Sequence, residues 1–179
     1  MSISSALYGD TIVAIATAPG RGGGMNTYCC DDVTVAGCIF RDNSAGYRGG
    51  GLANDQSGIN LTNCIFTDNV AAHIGGGIYS FLTDLSVNSC TISMNSGSDG
   101  GGMFNYLSAP TLTGCSFEGN TATLHGGGMS NAESSPTLDG CTFAGNSAST
   151  WGGGMNNWDS SPTLTNCIFT GNTADQGGG

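Results

Sequence analysis

Apolar residues return at fixed intervals along this chain, with polar residues between them. An aliphatic residue stands at Val35, Leu61, Val87, Leu112, Leu138 and Leu164, and three places later comes Cys38, Cys64, Cys90, Cys115, Cys141 or Cys167. Two places after each cysteine is Phe40, Phe66, Ile92, Phe117, Phe143 or Phe169. Three places further is always an asparagine: Asn43, Asn69, Asn95, Asn120, Asn146 or Asn172. Glycine triplets begin at Gly22, Gly49, Gly75, Gly100, Gly126, Gly152 and Gly177, and all but the last lead into Met25, Leu52, Ile78, Met103, Met129 or Met155. The cysteines step by 26, 26, 25, 26 and 26 residues.

Cysteine and the residue two later alternate with polar neighbours, the period of a half-buried strand. No segment holds the ~3.6-residue apolar stripe of a helix. Short alternating strands, glycine bends and one asparagine per unit predict an all-β parallel solenoid with about 26 residues per coil and six to seven coils. Coils stacked at ~4.8 Å would place equivalent residues in columns, including an inward cysteine ladder and an amide-to-amide asparagine ladder. The glycine triplets suit a bend needing positive φ or close backbone approach.

Phe-x-x-Asn occurs at Phe40 to Asn43, Phe66 to Asn69, Phe117 to Asn120, Phe143 to Asn146 and Phe169 to Asn172, with Gly-Gly-Gly-Met/Leu/Ile between. These motifs resemble the polymorphic membrane protein repeats of bacterial surface proteins and, more broadly, right-handed parallel β-helix repeat proteins of pectate-lyase-like architecture. The resemblance covers Gly22 to Gly179 and implies right-handed coiling, surface display and adhesin-like roles. The glycine triplet at the end of this chain departs from passengers that continue into a membrane barrel.

Gly9-Asp10-Thr11-Ile12-Val13 looks like the opening rung of such a β-helix. The apolar run from Ile12 to Ala18 would suit a signal peptide, but it has no basic flank and abuts Asp10. It is also too short to span a membrane. The sequence reads as a mature protein or a fragment of a longer one. It forms a single domain over residues 1–179, with 1–21 a partial first rung and 22–179 the repeat coils. The first coil is irregular and carries Cys29, Cys30, Asp31 and Asp32.

Thirteen acids against three bases give a net charge of −10, and the bases Arg21, Arg41 and Arg48 all lie early in the chain. Nucleic acid and anionic membranes are therefore poor partners, since both call for lysine or arginine. A surface of Ser, Thr, Asn and Gly agrees with an extracellular or cell-surface location. A column of cysteines at ~4.8 Å fits buried free thiols better than bridges, whose Cβ atoms sit ~3.8 Å apart. Some pairing stays open, and Cys29 and Cys30 are the candidates for it. A one-dimensional ladder does not converge on a metal, so no metal or cofactor is expected.

Chemistry has few carriers. Asp42 and Asp68 stack one rung apart, but no base follows on later rungs; Asp139, Asp159 and Asp175 occupy different places in the unit. His73 and His125 are out of register, so no catalytic set is expected. Outward threonines at Thr111, Thr113, Thr163 and Thr165 could order water as on an ice-binding face, but Asp139 and Asn88 interrupt the array. The stronger candidate is aromatic. Tyr79, Phe81, Phe104, Tyr106 and Trp158 flank the inward residues after the triplets and should form an exposed strip for a sugar or protein partner, or else lie under a covering loop or subunit. The expected function is a non-enzymatic, adhesin-like or scaffolding β-solenoid that contacts a cell-surface glycan or protein. Alternatives are a filament subunit that associates with itself end to end or laterally, and a β-helix polysaccharide lyase or hydrolase, which the resemblance also carries.

Overall fold

The computed structural model describes residues 13–14, 17–18, 20–30 and 33–179. The expected rung residues Gly9 to Ile12, Ile15 and Ala16 of the considered signal segment, and Asp31 and Asp32 lie outside the described residues. Every described regular element is a strand, and the strands fall into four parallel sheets of seven, six, six and six. Each sheet joins one strand from each successive coil, so the chain winds as a stack. In the coil that follows Gly100 the four strands are Met103–Tyr106, Thr111–Thr113, Ser116–Glu118 and Thr121–His125. We name the four faces the triplet, threonine, phenylalanine and alanine faces after their recurring residues. The short strands Val13–Ala14 and Thr17–Ala18 pair with Ile39–Phe40 and Ser44–Ala45.

Registers between coils match the sequence columns. Leu112 pairs with Val87 and Leu138, Phe117 with Ile92 and Phe143, and Met103 with Ile78 and Met129. Inward residues from the faces build one continuous core. In-register phenylalanines stack face to face, at 4.5 Å for Phe40–Phe66 and 4.6 Å for Phe117–Phe143. Ring stacking therefore adds to area burial along this column. The cysteines sit at the bend before the phenylalanine face rather than inside a strand, which corrects the half-buried strand reading of the alternation. Cys38 to Cys141 are nevertheless buried and unpaired, while Cys167 in the last coil is half-buried.

The chain turns four corners per coil, and each corner residue is in the left-handed region. In the middle of the stack these are Gly100, Leu107, Gly114 and Gly119, with φ of 62°, 49°, 60° and 61°. Behind one corner runs the asparagine ladder. Each Nδ2 donates to Oδ1 of the next asparagine at 2.8 to 3.0 Å from Asn43 through Asn172. The same Nδ2 atoms from Asn69 onward also donate to a carbonyl of the preceding coil, such as Asn120 to Ile92 O at 2.8 Å. Each Oδ1 from Asn69 onward accepts the backbone N–H of the preceding ladder asparagine. Buried amides persist because every polar atom is used.

Two further ladders were present in the sequence but unread. Along the triplet face Asn105 Nδ2 donates to Asn131 Oδ1 and Asn131 Nδ2 to Asn157 Oδ1, both at 2.9 Å. Ser80 breaks this column and leaves Asn105 Oδ1 buried without a partner. Ser108, Ser134 and Ser160 accept the backbone N–H one coil below at 3.3, 3.0 and 2.9 Å.

Met94 holds a left-handed corner, with φ 55°, that Gly119, Gly145 and Gly171 hold in later coils. Its side chain is 63% exposed, so little packing would be lost on its removal. Left-handed backbone costs a side-chain-bearing residue about 1–2 kcal/mol, against about 0.4–1 kcal/mol for glycine's freer unfolded chain. Met94→Gly is therefore expected to stabilise the fold by about 0.5–1 kcal/mol, read as a higher denaturant midpoint at constant slope.

Candidate functional site

Each triplet folds the chain so tightly that the residue before it lies beside the strand after it. At Gly126 (φ 65°) an added Cβ would fall 2.4 Å from Met129 O and 2.6 Å from Ser130 Cβ. Residues preceding the triplets consequently form a wall along the solenoid axis. Arg48 bridges to Ile74, Ile74 to Asp99, and His125 to Trp151, while Asp99 pairs with His125. The outward side chains of the triplet face make the floor. Wall and floor together bound a groove of about 770 Å³.

Tyr79, Phe104, Tyr106 and Trp158 all line this groove; Phe81 stacks behind Tyr106 at 5.4 Å and does not. The expectation of a uniformly exposed strip is corrected at Tyr79, which is fully buried. Arg48 covers it, with the guanidinium 4.9 Å from the ring centroid and donating to the phenol oxygen at 2.7 Å. Burial pushes the Tyr79 hydroxyl up to about 12, with Arg48 opposing the shift. Phe81, Phe104 and Tyr106 are half-buried, and Phe104 stacks on Tyr79 at 6.1 Å. Trp158 stands out at 65% exposure.

The sequence reading missed the wall. His125 Nδ1 lies 2.5 Å from Asp99 Oδ1, and its ring stacks on Trp151 with centroids 4.7 Å apart. A carboxylate can only accept, so Nδ1 is the donor in this contact, and His125 itself lines the groove. The register shifts between Gly97 and Asp99, and this irregularity brings the pair together. Writing out the residue before each triplet would have shown the column, though not its contacts. His73 stays apart, tilted against Tyr47 at 4.9 Å, so the two histidines are not a pair.

The remaining candidates are dispersed. Asp42 and Asp68 occupy left-handed corners, each with φ 56°, where aspartate is better tolerated than most residues. Asp139 receives a hydrogen bond from Asn166 at 3.0 Å, away from the groove. Thr111 and Thr113 are exposed as expected on the threonine face, with Asp139 interrupting the row. Cys29 and Cys30 are both unpaired; Cys29 Sγ donates to Gln56 and Cys30 Sγ to Tyr28 O. In the inner column burial raises the Cys38 thiol; hydrogen bonds to neighbouring thiols, with burial, raise Cys90 and Cys141. Among the described residues no three His, Cys, Asp or Glu side chains converge as a metal site, and no helix is long and apolar enough to cross a membrane.

A family profile described as the right handed beta helix region matches residues 52–179. The chain belongs to the right-handed β-helix family. Among curated proteins and among solved structures, nothing matches. The family match supports the right-handed coiling that the Phe-x-x-Asn motifs implied. Within this β-helix protein the matched region holds all of the groove except Arg48.

Proposed function

We propose that this β-helix protein is a non-enzymatic, adhesin-like contact module of the cell surface, and that its groove holds a glycan chain. The observation that carries the reading is the concentration of rings in one trough: Phe104, Tyr106 and Trp158 beside the floor, His125 and Trp151 in the wall. Flat rings stack on the apolar faces of pyranoses. Asn156, Asn157, Ser130 and the His125–Asp99 pair supply hydrogen-bonding groups for hydroxyls. The low share of charged residues, 9%, agrees with an extracellular setting.

A glycan array followed by titration of the best oligosaccharide tests the reading. Trp158→Ala with Tyr106→Ala should weaken binding at least about tenfold, roughly the contribution of one to two stacked rings. Unchanged affinity removes the groove as the contact surface. The His125–Asp99 pair favours a second reading, a glycan-cleaving enzyme with His125 as general base. Chromatography of the oligosaccharide after prolonged incubation separates the two: new reducing ends or unsaturated products establish cleavage, and an intact oligosaccharide supports the binding module.

A further inference from the structure

We propose that the notch over Ala132 is a subsite for one pyranose ring carrying a protonated amino group. The inference rests on the groove's reading as a glycan site and names its ligand class. Ala132 pairs with Tyr106 on one side and Trp158 on the other. Inward and outward residues alternate along each strand, so all three side chains share the outward column of the triplet face. Small residues, Ser130 and Ala132, thus stand where the neighbouring coils carry Phe104 with Tyr106 and Asn156 with Trp158. Two rungs separate the tyrosine and tryptophan strands by about 9.6 Å, twice the inter-strand spacing. Stacked rings lie about 4.5–5 Å apart at their closest, so this gap is the width of one six-membered ring between the Tyr106 and Trp158 side chains. Tyr106 already stacks on Phe81 on its far side, which holds its other face toward the gap.

The charge around the notch selects the ring. At the corner that follows this column, successive coils carry Cys29, Gln56, Leu82, Leu107, Glu133 and Asp159, all in the left-handed region. Only the coil of Ala132 itself, with Glu133, and the Trp158 coil beside it, with Asp159, place a carboxylate there. Both carboxylates are exposed, and their corners are joined by the Glu133 N–H donating to Trp158 O at 3.0 Å. No lysine or arginine occurs after Arg48, so nothing on these coils neutralises them. Glu133 lines the groove and Asp159 stands at the adjoining corner outside that lining, so a cation entering the notch meets negative charge beside aromatic rings that also attract it. An ammonium on the sugar would meet Glu133 and Asp159 while the ring stacks between Tyr106 and Trp158. An anionic sugar would be repelled.

Calorimetric titrations of the intact protein with β-1,4-linked glucosamine oligomers, their fully N-acetylated counterparts, galacturonate oligomers and an oligolysine peptide test this. The free-amine oligomer should bind about tenfold more tightly than the acetylated one, as expected where a cation–π contact and an exposed ion pair add together. Glu133→Gln with Asp159→Asn should erase that preference, bringing the amino and acetylated oligomers to equal affinity. The double variant should fold, since Gln56 holds the same corner in an earlier coil and asparagine accepts left-handed backbone. Equal affinities for the amino and acetylated oligomers, or a preference that survives the double variant, overturn the subsite while the glycan reading stands. Tighter binding of galacturonate also overturns it. Oligolysine binding as tightly as the amino sugar would make the occupant a basic peptide and overturn it too. Failure of every oligosaccharide to bind overturns the glycan reading itself.

Discussion

Asn120→Ala is expected to destabilise the fold by about 4 kcal/mol, because it removes four hydrogen bonds from the buried ladder at once and leaves Asn95 N without its acceptor. Asn120 Oδ1 accepts from Asn95 N and Asn95 Nδ2, both at 3.0 Å; its Nδ2 donates to Ile92 O at 2.8 Å and Asn146 Oδ1 at 2.9 Å. Alanine supplies none of these, and the ladder asparagines on both sides are themselves buried. Each unsatisfied buried group costs about 1–3 kcal/mol, so partial relaxation still leaves a large loss. Asn172→Ala, in the half-buried last coil, should cost far less because water can reach the freed groups. Chemical denaturation of both variants checks this, and a similar small loss for each would show that the column does not hold the coils together.

Gly127→Ala is expected to be at least as damaging. A Cβ there would lie 2.4 Å from Ser147 O and 2.5 Å from Gly153 O, both backbone atoms. No rotamer change relieves a clash between a β-carbon and main chain. The coils must separate, which lengthens Gly127 N to Gly152 O and its neighbours in the triplet stack. We expect a loss above about 4 kcal/mol, in the range where overpacking and broken hydrogen bonds add. Gly140→Ala is the comparison: nothing lies within 4 Å of its added Cβ, and only its φ of +63° opposes the change. That variant should lose only about 0.5–1 kcal/mol, the left-handed cost less the gain from a stiffer unfolded chain. Thermal unfolding and protease resistance measure both, and equal losses would mean that coil spacing tolerates a methyl group.

The two variants probe parts of the molecule that differed in how plainly the sequence announced them. Cys38 through Cys167 and Asn43 through Asn172 repeat in type as well as spacing, because each must fit against its own copy one rung away. The serine column through Ser108, Ser134 and Ser160 obeys the same rule and was equally readable, yet its alternation with variable corner residues hid it. Outward residues escape that constraint. Arg48, Ile74, Asp99, His125 and Trp151 occupy one column with five different chemistries, so periodicity carried no sign that they form a wall. Tyr79 illustrates the consequence. Alternation placed it outward correctly, but Arg48 from the wall lies over it and buries it.

The sequence alone determined the coil length, the inward columns and the parallel stack, because a repeated unit can bury its apolar face only against its own neighbour. Folding in three dimensions decided the rest. The turn at each triplet lays the wall along the aromatic face, the shifted register at Gly97 and Asp99 joins His125 to a carboxylate, and the small Ala132 opens a gap between Tyr106 and Trp158. Those features depend on which side chains meet across coils about 26 residues apart, where identical backbone geometry leaves the choice of outward residue free.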